Sequence, residues 1–195
     1  MRSLLRYEMR LWLALYRWVF RRPEPVAPGT VRFSYSGGGT LLLTAFIVVS
    51  AIEIPILDLV LPWRIARIIS SIVGVYGLLW MIGLMATLHV YPHLVGEAGI
   101  RIRKSIALDL TVGWDNIRDI RSRGRSLPPG GRTQFEDGVL AYAVGGGTTV
   151  DLVLAEPITL PDKPTGGEPV REIRFHADRP DDLVAAARTR LTARA

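Results

Sequence analysis

Glu53 is the residue in this 195-residue chain whose position most demands a chemical explanation, because it falls inside an otherwise apolar run from residue 40 to residue 61. An ionisable group in such a run is either paired or functional, since a lone charge is costly at membrane depth. Asp58 shares the run, and in an antiparallel hairpin turning at residues 62–63 it stands opposite Arg67, so an Asp58–Arg67 ion pair is expected. Glu53 lies about 12 Å in from the end of the run at 1.5 Å per residue, level with Ser70 or Ser71 and with no cation opposite. It is read either as a proton- or ion-relay carboxylate or as a group hydrogen-bonded to serine or turned to an oligomer interface. The second reading is favoured, because one carboxylate makes no pathway.

Other chemistry is scarce. Cysteine is absent, which removes disulfides, thiolate metal sites and a thiol nucleophile together. His89 and His93 are four residues apart, a spacing that puts two imidazoles on one helical face, but Pro92 interrupts the helix there and no third ligand follows, so no metal site is expected. Asp109, Asp115, Glu136, Asp137 and His176 show no acid-base spacing, and Ser, His and Asp gather into no nucleophile motif. Residues 145–148 read as a turn and not a phosphate loop, because no Lys-Ser/Thr pair follows. No catalytic residue and no cofactor is assigned, and an enzyme is not expected.

Cations are the remaining candidates. Arginine outnumbers lysine 22 to 2, and residues 1–36 carry seven arginines against Glu8 and Glu24, a local charge of +5. Residues 96–195 carry 15 cations against 14 carboxylates, a charge of +1. The basicity thus belongs to the N-terminal arm, as expected for attraction to anionic lipid beside a span, and nucleic-acid binding is not expected. Arg101, Arg103, Lys104, Arg118, Arg121, Arg123, Arg125 and Arg132 are candidates for a basic patch that contacts lipid phosphate or a partner. Asp109, Asp115 and Asp119 interleave with them, so a solvated strand face is the stronger reading.

These residues sit on elements that the hydrophobic pattern defines. Residues 40–61 and 65–88 are long enough as helices to cross a hydrocarbon core of about 30 Å, with Pro62, Trp63 and Arg64 as the corner. Residues 1–22 predict an amphipathic helix whose Arg2, Arg6, Arg10, Arg17 and Arg21 form one stripe, lying in the membrane interface; a third span is disfavoured because Arg6, Glu8, Arg10 and Arg17 are spread through it. Residues 23–39 read as a Pro/Gly linker. Positive charge flanks both outer ends of the hairpin, which places both termini in the cytoplasm of a bacterial plasma membrane, with Arg64 and Arg67 as weak counter-signals. Ser70, Gly74 and Gly77 have the small-residue spacing that packs the spans together or packs protomers.

Residues 96–195 predict an α+β domain. Short alternating segments at 100–103, 107–112, 117–123, 139–144, 149–154 and 170–175 form an antiparallel sheet or barrel, Trp114 anchors its core, and residues 181–194 form a closing helix. A Pro/Gly-rich stretch at 156–169 precedes the last strand. The segments Gly99 to Arg103, Val112 to Ile117 and Phe175 to Leu183 resemble bacterial pleckstrin-homology-like (PH-like) domains. The chain also resembles an actinobacterial group with two spans and a Pro-His-x-Val element, here residues 92–95. The resemblance implies a small barrel capped by a helix, and binding or assembly rather than catalysis.

The combined expectation is a non-enzymatic membrane scaffold or accessory subunit whose PH-like domain binds a partner protein or anionic inner-leaflet lipid, alone or as a homo-oligomer. The alternative is an oligomeric transport or channel subunit that uses Glu53. The two separate on one substitution: E53Q abolishes flux without altering assembly in a transporter and leaves a scaffold's binding intact.

Overall fold

A computed structural model describes residues 2–22, 24–105, 108–127, 133–160 and 165–194, with the side chains of residues 2–6 and 38 outside the description. The chain divides into two compact units, the first comprising residues 1–24 and 39–90 and the second residues 25–38 and 91–195.

The first unit holds α1 (Arg2–Val19), α2 (Gly37–Val60) and α3 (Arg64–Val90). Both α2 and α3 are long and apolar enough to cross a membrane. Pro55 lies inside α2 without ending it. The corner between the helices has a local cause. Leu61 N–H still donates to the Leu57 carbonyl at 3.0 Å, but Pro62 has no N–H with which to continue the ladder to the carbonyl of Asp58. The Arg67 guanidinium reaches that carbonyl at 3.5 Å. This corrects the expected ion pair: Arg67 meets the Asp58 backbone, and among the described residues no Asp58–Arg67 ion pair forms.

The helix contacts also differ from expectation. Gly74 faces α2, where a Cβ would stand 2.8 Å from Ile54 Cγ1, whereas nothing lies within 4 Å of a Cβ at Gly77. Ser70 is half-buried. The closest helix packing is that of α1 on α3: Leu11 fills the space left by Gly83, Leu11 and Ala14 are buried, Tyr76 donates to Glu8 at 2.5 Å, and Trp18 stacks near His89. A helix lying across a span touches it at one level. α1 instead follows α3 from Tyr76 to His89 in the same direction. Leu11 and Ala14 of its apolar surface are buried, while Met9, Leu13, Tyr16, Val19 and Phe20 stay exposed.

The second unit is α+β. One antiparallel sheet runs β1 (Val31–Phe33), β2 (His93–Gly96), β3 (Gly99–Lys104), β4 (Leu108–Val112). The other has the order β5-β8-β9-β7-β6, with β5 (Ile117–Ser126), β6 (Thr133–Glu136), β7 (Val139–Tyr142), β8 (Gly147–Thr159) and β9 (Pro169–Phe175). The β7–β9 pair is parallel, so this sheet is mixed and the two sheets do not close into a barrel. One core, including Ile100, Ile120, Leu152, Ile173 and Phe175, joins both sheets to α4 (Pro180–Thr192) through Leu183, Val184 and Ala187.

Three strands escape the sequence reading. Residues 23–39 are not simply a linker: Val31, Arg32 and Phe33 pair with Val95, Leu94 and His93, and Phe33 and Tyr35 are buried. The domain accordingly begins before residue 96. The alternation of Val31, Phe33 and Tyr35 is a strand signal too short to separate from a coil. The stretch 156–169 is also shortened as a loop, because β8 continues through Thr159 and pairs with Pro169. Trp114 is buried as expected, and its Nε1 donates to the carbonyls of Gly96 and Glu97 at 3.1 and 3.0 Å. The turn that these carbonyls belong to requires Gly99, whose φ of 138° and contact with the Val112 carbonyl leave no room for a Cβ. Gly99→Ala is therefore expected to destabilise the second unit by about 1–3 kcal/mol, read as a lower midpoint in thermal unfolding.

Candidate functional site

The candidate cations of the second unit do not converge. Arg101, Arg103 and Lys104 lie on β3 of the first sheet, whereas Arg118, Arg121, Arg123 and Arg125 lie on β5, at the edge of the other. Most are engaged. Arg101 makes two bonds of 2.5 Å to Asp109, and Arg103, itself buried, stands 3.6 Å from the same carboxylate. Burial by itself would raise the Asp109 carboxyl, but Arg101 and Arg103 outweigh it and hold the group below its ordinary range. Arg121 bonds Asp119 at 2.5 Å. Arg125 meets the buried Asp151 at 2.9 Å, and Arg174 approaches the other Asp151 oxygen at 3.8 Å. Arg118 donates to the Ala155 carbonyl at 3.3 Å, and Lys104 lies over the Tyr142 ring. Arg123 is exposed, and Arg132 falls outside the described residues. Half of the candidate cations are thus held in ion pairs, cross-strand for Arg101, Arg103 and Arg125 and within β5 for Arg121.

Sequence reading missed a polar cluster around His93. Arg103 N–H donates to His93 Nδ1 at 3.0 Å, so the ring is neutral with its proton on Nε2, which donates to the His176 carbonyl at 2.8 Å. Tyr35 and Phe175 pack on the imidazole with centroids 4.7 and 5.0 Å away. Burial, helped by the charge of Arg103 and only partly offset by the His176 carbonyl and Asp178, pushes the His93 pKa from 6.5 down to about 4. Burial also pushes the Tyr35 hydroxyl up to about 12, although it accepts a bond from Ser105 N–H at 2.5 Å. Asp178, instead of capping α4, accepts from the Ser34 hydroxyl at 2.6 Å and from Gly37 N–H at 3.0 Å. Burial opposes its ionisation, and these donors overcome it, so its carboxyl titrates low. The cavity at this cluster is about 10 Å³, room for a water and no substrate. The cluster ties β2, β3 and β9 to the residues just after β1 through these bonds and ring contacts. His89 serves elsewhere, hydrogen-bonding the Met85 carbonyl one helical turn back at 3.0 Å.

The larger concavity is an open groove of about 470 Å³ lined by Arg121 and Ser122 of β5 and by Asp181, Val184, Ala185 and Arg188 of α4. Its floor follows from topology, since β5 ends the second sheet and, among the described residues, has no strand beyond it. Arg188 partly occupies that edge by donating to the Ile120 carbonyl at 3.0 Å. The apolar stripe of α4 was legible from sequence, but the position of α4 beside the open edge of β5 was not. Comparisons with family models, curated proteins and solved structures find no match.

In the first unit, Arg10 and Arg21 are exposed and Arg17 is half-buried, whereas the side chains of Arg2 and Arg6 fall outside the description. Glu53 and Asp58 are exposed on α2. Glu53 makes no bond to Ser70 or Ser71, because Ile54 and not Glu53 is the residue of α2 turned to Gly74.

The titrations of His93, Asp109 and Asp178 share one sign. His93 stays neutral when folded down to about pH 4 but protonates near 6.5 when unfolded, so its contribution is fully present above pH 6.5 and is lost as pH falls towards 4. The linked loss is about 3 kcal/mol at most. Asp109 and Asp178, both held low, weaken the fold in the same direction at lower pH. Thermal unfolding of the full-length protein in detergent should show a midpoint that drops between pH 6.5 and 4, and H93Q should flatten that part of the profile from a lower starting value. A midpoint independent of pH across that interval contradicts this account.

Proposed function

We propose that the protein is a non-enzymatic, membrane-anchored scaffold or accessory subunit of a bacterial plasma membrane, with both termini in the cytoplasm. Its second unit, a PH-like domain by resemblance of residues 99–103, 112–117 and 175–183, binds a partner protein. Two apolar helices of spanning length support the anchor, and the arginine-rich flanks support the orientation.

One observation carries the choice of a protein over a lipid. Four of the cations that would meet lipid phosphate, Arg101, Arg103, Arg121 and Arg125, are committed to Asp109, Asp119 and Asp151, whereas the open edge of β5 beside α4 offers edge backbone groups and a half-apolar wall. An extended segment that adds to such an edge gains main-chain hydrogen bonds, with side-chain pockets supplying selectivity. Tethering adds to this. A domain held close to the bilayer meets membrane partners at high effective concentration, so a modest interface is occupied.

A photoreactive residue at Ala185 in native membranes should give a discrete adduct with a partner protein, while the same residue at Thr192, exposed at the far end of α4, should not. Widening the side chain in the groove by A185W should abolish that adduct and leave protein levels unchanged. Equal labelling at both positions, or adducts with lipid alone, would argue against the proposal.

A further inference from the structure

The first unit is a layer of three helices in which α3 lies between the other two. Gly74 receives Ile54 of α2, and Gly83 receives Leu11 of α1; the two glycines are nine residues apart, which at 100° per residue puts them on opposite sides of α3. Arg10 immediately precedes Leu11, and Glu53 immediately precedes Ile54. Each therefore sits 100° back around its own helix from the residue that touches α3. α1 runs with α3, and α2 runs against it, as the contacts of Thr44 with Met85 and of Arg67 with Asp58 show. On opposite sides of α3 and in opposite directions, the two 100° steps bring Arg10 and Glu53 onto one and the same face of the layer.

Gly77 lies on that face too, three residues beyond Gly74, and a Cβ there would meet nothing within 4 Å. Gly77 leaves a gap without a side chain on this face, flanked on α3 by Val73 and Trp80, with an exposed cation on one margin and an exposed carboxylate on the other. The two charges are too far apart to meet within the chain, because the full width of α3 separates their helices.

We infer that this face is the interface of a two-fold homodimer in the membrane, in which Arg10 of each copy pairs with Glu53 of the other across a close approach at Gly77. Rotation by 180° about an axis along the spans, which keeps both copies in the same membrane orientation, sets α1 of one copy against α2 of its partner twice over. Such an interface is self-complementary and closes at two subunits. Heights along the axis agree. Glu53 stands at the level of about residue 75 of α3, one residue from the Ile54–Gly74 contact. Arg10 stands at about residue 82, one residue from the Leu11–Gly83 contact, so the two α-carbons differ by about 10 Å. Side chains on a helix lean towards its N-terminus, and because α1 and α2 run in opposite directions, Arg10 and Glu53 lean towards each other and span that difference. A second copy supplies the counter-charge that an intramembrane carboxylate needs and places an arginine near each Glu53. This inference rests on the first unit alone and stands or falls separately from the partner groove of the second.

The native chain contains no cysteine, so disulfide trapping is direct. Oxidation of full-length G77C in membranes should give a covalent dimer, whereas V75C, exposed on α3 but turned away from this face, should give at least about ten-fold less. V73C, on the same face one turn along, should cross-link like G77C and guards against an effect peculiar to residue 77. In mild detergent, R10E and E53R should each lower the dimer-to-monomer ratio about ten-fold or more, and the double exchange R10E/E53R should restore it, a rescue that a merely structural role for either residue would not produce. Equal trapping at residues 75 and 77, a monomeric wild-type protein, or a double exchange no better than the single variants would overturn the inference.

Discussion

A charge taken out of water without a partner costs more than any single apolar contact in this protein contributes, and both units are organised around that constraint. In the second unit the constraint is met within the chain. Arg103 is buried only because Asp109, the Tyr91 ring and the His93 environment surround it, and Asp151 is buried only between Arg125 and Arg174. Where no counter-charge is near, the group gives up its charge, as His93 does by remaining neutral between the Arg103 amide and the His176 carbonyl. These arrangements leave few free cations, which is why the surface that remains for recognition is a backbone edge and not a basic patch.

The first unit meets the same constraint only in part. Some of its polar atoms find partners inside the chain: Tyr76 in mid-α3 bonds Glu8, and Arg67 bonds the carbonyl that Pro62 leaves without a donor. Glu53 and Arg10 do not, and they share a face with the one glycine of α3 that packs against nothing described. In water such residues would need no explanation. On helices apolar enough to cross a membrane they are the residues proposed to meet another copy of the same surface.

Anchor and domain therefore present different kinds of interface. The apolar layer offers small residues and a pair of opposed charges, the combination that joins helices where lipid removes any hydrophobic drive for association. The second unit offers the open edge of β5 with α4 beside it, in which main-chain groups and a shallow apolar wall carry the contact. A dimeric anchor would present two such edges, and paired weak sites reach a useful occupancy that single ones do not.

Much of the architecture was legible in the amino-acid sequence because it depends on local periodicity. Two apolar runs define α2 and α3, period-two alternation defines β3, β4 and β9 to within a few residues, short apolar segments locate β5 and β8 but stop short of their ends, and Pro180 with Asp181 and Asp182 marks the start of α4. The interleaving of Asp109, Asp115 and Asp119 with arginines already weighed against a free basic patch. Tertiary structure alone decided the rest, because it depends on contacts between distant residues. β1 is a strand only because β2 lies beside it, some 60 residues away in the chain, and β7 pairs in parallel with β9 where a chain of short strands reads as antiparallel throughout. His93 read only as part of a corner after the second span, and its place between Arg103 and His176 came from the tertiary structure. The sides of α1 and α2 that carry Arg10 and Glu53 could be drawn from sequence, but their common face followed only from where Leu11 and Ile54 dock on α3, since spacing along a helix sets angles about its own axis and says nothing of which neighbour lies across it.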